Sequence, residues 1–109
     1  MGRERQPRDW LVRPREFGRQ EGPEVHSEPS DPFECADWRA AQFQSLLAWQ
    51  LWIRIQALPH GRTFSAVAEH ELFPYGYDTL IKALRGQQWM TLRVYAAILN
   101  AIEALEKHA

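Results

Sequence analysis

The residue types that do acid–base, nucleophilic or metal chemistry are few in this chain, and they are scattered. Four histidines, His26, His60, His70 and His108, stand far apart with no metal-ligand spacing between them. His70 lies between Glu69 and Glu71 on what reads as the solvated face of a helix. Cys35 is the one cysteine, so no disulfide can form within the chain, and it reads as a small apolar filler in a reducing compartment. There is no glycine-rich phosphate loop and no nucleophile motif. The expectation is a protein that is not an enzyme and holds no metal or cofactor. The remaining chemistry is that of recognition: cations, hydroxyls and amides at Arg62, Tyr77, Asp78, Thr79, Lys82, Arg85, Gln87 and Gln88.

Elements must position those groups, and 109 residues are enough for one small domain. Charge is nearly balanced, with 13 Lys+Arg against 14 Asp+Glu. Residues 1–36 hold six arginines against eight acids, and residues 37–109 hold seven basic residues against six acids. Neither part advertises strong non-specific binding to phosphates. Residues 1–36 are rich in Pro, Arg and Glu and poor in aliphatic side chains. They read as a largely extended, flexible tail, dispensable for folding. Trp10, Leu11, Val12 and Phe17 break its polar pattern as possible anchors on the folded part or on a partner.

From Asp37 the composition turns helical. "DWRAAQFQSLLAWQLWIRIQAL" runs without Gly or Pro, with Asp37 as its expected N-cap, and Pro59 and Gly61 end it. Its apolar residues cover most directions, so the helix needs burial on several sides. Trp49, Trp52 and Ile53 lie opposite Phe43 and Leu47. One set is expected to face the domain and the other to need a cover. Next, Phe64, Val67, Ala68 and Leu72 make one face of a short helix capped by Thr63 or Ser65. "FPYG" stops it. "YDTLIKALRG" follows, with Leu80, Ala83 and Leu84 inward and Gly86 as C-terminal cap. Thr91 then caps a last helix with Tyr95, Ile98, Ile102 and Leu105 inward. The fold class is all-α, with about four helices in residues 37–109.

Two short helices joined by a tight break, the second ending in Arg85-Gly86, resemble a helix-turn-helix of the phage-repressor (Xre/Cro) type. The resemblance covers about Phe64 to Leu105. Val67-Ala68-Glu69 is similar to the start of the first motif helix, and "YGYDTLIKALRG" to the turn and recognition helix. Arg85-Gly86, "QQWM", Thr91 and Leu92 follow the family's exit from that helix. Two features depart from it. Leu72 stands where the turn glycine is usual, in a turn about two residues longer, and Met90 stands where proline is usual.

The resemblance implies that the second motif helix enters the DNA major groove while the first braces it. Tyr77, Asp78, Thr79 and Lys82 then fall at the base-facing end, with Thr79 placed for a base or a thymine methyl and Asp78 for cytosine N4. Lys82, Arg85 and Arg62 fall to phosphates, and Gln87 and Gln88 to polar loop contacts. The function so implied is that of a sequence-specific, double-stranded-DNA-binding transcriptional regulator, acting as a homodimer through Trp49, Trp52 and Ile53. The alternative is a protein-binding adaptor or inhibitor, of phage or plasmid type, on the same scaffold. Its partner would sit on the first helix or the tail. "LLAWQLWI" is too short to span a membrane and no signal peptide is visible, so the expected location is cytoplasmic.

Overall fold

The structure, a computed structural model, describes residues 5–61 and 63–107. Among these there are four α-helices: α1 (Pro32–Gln56), α2 (Phe64–Glu69), α3 (Gly76–Arg85) and α4 (Leu92–Lys107). The class is all-α, with no strand among the described residues. At 1.5 Å per residue the 25 residues of α1 span about 37 Å, which sets the long dimension of a molecule 47 Å in extent.

The first helix begins earlier than Asp37. Asp31 is its N-cap, with a carboxylate oxygen accepting from the Glu34 N–H at 3.0 Å. Pro32 takes the first helical position, where its missing N–H costs nothing. A proline before "FECADW" therefore marks the start of the helix and not the end of the tail. The caps of the later helices follow their residue types. Gly86 closes α3 in the left-handed region at φ +73°. The Thr91 hydroxyl accepts from the Val94 N–H at 3.1 Å at the head of α4.

One core joins all four helices. Ala48, Leu51 and Ile55 of α1 meet Val67 and Ala68 of α2, Leu80, Ala83 and Leu84 of α3, and Val94, Ile98 and Ile102 of α4. Leu72 is not part of it. The helix stops at Glu69, His70 turns extended, and the His70 Nδ1 accepts the Leu72 N–H at 3.1 Å. That turn leaves Leu72 exposed and buries Phe73 in its place. At the far end Arg54 of α1 and Glu106 of α4 form an ion pair. On the surface such a pair stabilises by only about 0.2–1 kcal/mol.

The N-terminal segment departs most from expectation. It is not a coreless tail: Trp10, Leu11 and Phe17 are buried, and Leu11 and Phe17 belong to the same core as the helices. Prolines 7 and 14 open two 3-10 turns, Pro7–Trp10 and Pro14–Glu16, that fold the chain back on itself. Leu11 then pairs with Val25 in an isolated antiparallel bridge, flanked by Val12 N–H to Glu24 O and His26 N–H to Trp10 O, both at 3.0 Å. The Trp38 indole N–H donates to His26 O at 2.8 Å and ties this return to α1. The few apolar residues suffice because they are large: each fully buried side chain of this kind contributes about 1.5–3 kcal/mol.

Two glycines let the segment dock. Gly18 sits at φ +69°, and its N–H donates to the buried Ser45 hydroxyl at 3.0 Å. A Cβ there would stand 2.5 Å from the Leu84 carbonyl oxygen. At Gly86 a Cβ would stand 2.7 Å from the Phe17 ring, so the glycine that caps α3 also seats Phe17.

Candidate functional site

The surface of α3 is the natural place to look, because its inner face is fully used. Leu80, Ala83 and Leu84 fill the core, which turns Asp78, Lys82 and Arg85, at i, i+4 and i+7, toward solvent. Tyr77 is exposed beside them, and Thr79 is half-buried on the flank. The Lys82 ammonium lies 3.0 Å from the Asp78 carboxylate. Both groups are well exposed, so this pair is worth a few tenths of a kcal/mol at most and Lys82 is free to exchange it for another anion. Arg62 lies outside the described residues.

The loop after α3 is pinned from below by a residue whose importance the sequence pattern does not reveal. Gln44 of α1 is buried, and its side-chain amide donates to Ala83 O at 2.9 Å and Gln88 O at 3.0 Å. Its oxygen accepts from the Met90 N–H at 2.9 Å. The Gln87 N–H donates to Lys82 O at 2.8 Å. Gln87 and Gln88 thus have their backbones fixed and their side chains half-exposed. Trp89 beside them donates its indole N–H to Arg5 O at 3.1 Å, which ties the loop to the N-terminal segment. Gln44 stands among other polar residues, Gln42 and Ser45, so nothing in the sequence singles it out for this clamp.

The N-terminal segment brings further cations to α3. Arg8, Arg15 and Arg19 converge with Arg85 and Gln87 around a cleft of about 290 Å³. Nothing in the sequence spacing links residues 8–19 to residue 85; the docking of Phe17 against Gly86 and the Arg8 N–H bond to Gly86 O bring them together. Burial, and after it the positive charge of Arg85, pushes the Arg19 pKa down from its ordinary value.

The apolar surface also differs from expectation. Neither Phe43 nor the Trp49, Trp52, Ile53 set is the inward face of α1. The buried stripe runs through Ala41, Gln44, Ser45, Ala48, Leu51 and Ile55. Trp49 is half-buried, Ile53 is exposed, and Trp52 lies under the Arg19 guanidinium, 4.9 Å from the ring centroid. The most exposed apolar side chains are Phe33 (84%) and Phe43 (59%) on α1 and Leu92 (84%) on α4. Phe43 and Leu92 line one shallow depression with Leu47 and Tyr95.

Among the described residues the groups able to do catalysis stay apart. Among the described residues no three of His, Cys, Asp and Glu stand together as a metal would need. The Cys35 thiol lies 3.1 Å from a Glu28 carboxylate oxygen, and that hydrogen bond raises its pKa and disfavours the thiolate. Among the described residues no helix is long and apolar enough to cross a membrane.

No protein-family model, curated protein or solved structure matches the chain.

Proposed function

We propose that this chain is a sequence-specific double-stranded-DNA-binding protein of the cytoplasm, a transcriptional regulator without enzymatic activity, in which α2 and α3 act as a helix-turn-helix. The observation that carries this reading is the state of α3. Its apolar face is spent on the core, its C-terminal end is locked by Gly86 and the Gln44 clamp, and its polar face, Tyr77-Asp78-Lys82-Arg85, is left uncovered. A rigid helix presenting hydrogen-bonding groups at its start and cations toward its end is what major-groove docking requires. Thr79 and Asp78 would touch base edges, and Lys82, Arg85 and the Gln87–Gln88 loop would touch phosphates. Loss of the weak Asp78–Lys82 pair on binding is a small cost.

A regulator of this kind reads two half-sites as a homodimer. The seam that supports a dimer is on α1, away from Trp52. Phe33, Ala36, Ala40, Phe43 and Leu47 recur at i, i+3, i+7, i+10 and i+14, the spacing of a coiled-coil seam. The same exposed apolar side chains favour the second reading, a protein-binding adaptor or inhibitor whose partner covers this seam.

The test contrasts two substitutions on α3 in a duplex-binding assay. Thr79→Ala is expected to relax sequence preference with little loss of overall affinity. Lys82→Ala is expected to weaken binding to all duplexes alike and to reduce the salt slope by about one unit. If the wild-type protein binds no duplex at low salt, the regulator reading fails and the adaptor reading replaces it.

A further inference from the structure

The cleft between the N-terminal segment and the end of α3 holds more positive charge than the fold needs. Arginines at a helix C-terminus are commonly explained by the helix dipole and by free last-turn carbonyls. Several of the carbonyls at this helix end already have other donors. Lys82 O takes the Gln87 N–H, Ala83 O takes the Gly86 N–H and the Gln44 amide, and Gly86 O takes the Arg8 N–H. Nor are the guanidinium groups neutralised. Among the described residues, Arg8, Arg15, Arg19 and Arg85 have no carboxylate within ion-pair distance. Of the nearby acids, Glu16 pairs with Arg13 at 2.8 Å through Oε2 while its buried Oε1 has no partner, and Asp9 takes the Gln6 N–H at 2.8 Å.

Two of the four cations are held in place. The Arg8 Nε donates to the Gln6 side-chain oxygen at 2.9 Å. Arg19 follows the fixed Gly18 and stacks on Trp52, a surface that suits the planar guanidinium. Bringing Arg19 toward Arg85 costs like-charge repulsion, which a bound anion would offset. Arg8, Arg15 and Arg19 come from separate turns of the N-terminal segment, brought to the end of α3 by the burial of Phe17 in the core.

We infer that this cleft binds a phosphate group, held by Arg8, Arg15, Arg19 and Arg85 with Gln87 as an uncharged donor. Arginine forks match phosphate oxygens two at a time, and about 290 Å³ has room for one phosphate with its waters. The inference rests on the DNA reading for the source of that phosphate. Arg85 belongs both to the outward stripe of α3 and to the cleft, so a duplex lying on α3 would deliver a backbone phosphodiester to it. The N-terminal segment then acts as a second phosphate clamp beside the helix, made from residues distant in sequence.

The experiment compares the full wild-type chain with Arg15→Gln/Arg19→Gln. Arg15→Gln alone serves as a second variant, because Arg15 is exposed and its loss leaves the core intact. Two quantities are read: the salt dependence of duplex binding, and the rise in Tm on adding inorganic phosphate at matched ionic strength. The expected result is about tenfold weaker binding at 0.1 M salt, equal for all sequences, with the salt slope lower by about one unit. A lower slope without any response to free phosphate assigns the site to the backbone phosphodiester. If wild type binds no duplex, but free phosphate raises its Tm and not that of the variants, the DNA reading fails while the cleft stands as a site for free phosphate. An unchanged salt slope together with the same phosphate response in wild type and variants overturns the cleft and leaves the α3 reading intact. No duplex binding together with no wild-type-specific phosphate response overturns both.

Discussion

Phe17 and Gly86 show how one pair of residues couples the docking of a segment to the end of a helix. The ring closes over a glycine that has no Cβ to offer, and the same glycine holds the left-handed cap of α3. Phe17→Ala is expected to cost about 3–5 kcal/mol, the range for emptying a buried aromatic site. Gly86→Ala should cost about 1–3 kcal/mol from overpacking, with the backbone strain of a left-handed alanine added. Chemical denaturation of the two variants measures both; a loss below 0.5 kcal/mol in either, on the order of a neutral surface change, would contradict the packing described. Gln44 offers a third test. Gln44→Leu removes two hydrogen bonds to the α3–α4 loop and one to Ala83 O of α3, and leaves the Met90 N–H and the Gln88 carbonyl unpaired. These groups are only partly buried, so the expected cost is about 1 kcal/mol for each, the low end of the range for an unsatisfied group. Amide hydrogen exchange should speed up at Met90 before it does in α4.

At the level of elements, α3 and α4 are legible in the sequence because each carries its own punctuation. Leu80, Ala83 and Leu84 give the period, Gly86 the stop, and Thr91 the next start. The start of α1 is misread at Asp37 because an earlier Asp-Pro pair, Asp31-Pro32, supplies both the cap and the first helical residue inside a proline-rich stretch. Leu72 fits the helical period but falls beyond the turn at His70, where a local side-chain bond ends the helix. The N-terminal segment is illegible for a different reason. Its order comes from long-range contacts, Phe17 on Gly86 and Gly18 on Ser45, and no period within residues 5–30 announces them. The arginine cleft inherits that obscurity, since three of its four cations lie on this segment. A chain beginning at residue 31 is therefore expected to keep its α1 cap but to lose Trp10, Leu11 and Phe17 from the core. Calorimetry should show a Tm lower by tens of degrees, taking about 4–8 °C for each kcal/mol lost in a domain of this size. A Tm within a few degrees of the full chain would mean that the segment contributes little.

The whole molecule joins a rigid α3 face, a basic cleft beside it and an apolar seam along α1. Phe43→Glu, placed in that seam, is expected to turn a dimer into a folded monomer in sedimentation. A wild type that remains monomeric at high concentration would remove the symmetric dimer and point to a different protein on Phe33, Phe43 and Leu92. The claim on which the rest depends is that α3 reads DNA. The most direct measurement is a selection from random-sequence duplexes with the full chain, followed by affinity for the enriched duplex over a series of salt concentrations. The expected result is an enriched sequence, a log affinity that falls linearly with log salt by about one unit for each phosphate contact, and loss of the preference in Thr79→Ala. No enrichment, and no duplex retained even at low salt, would contradict it.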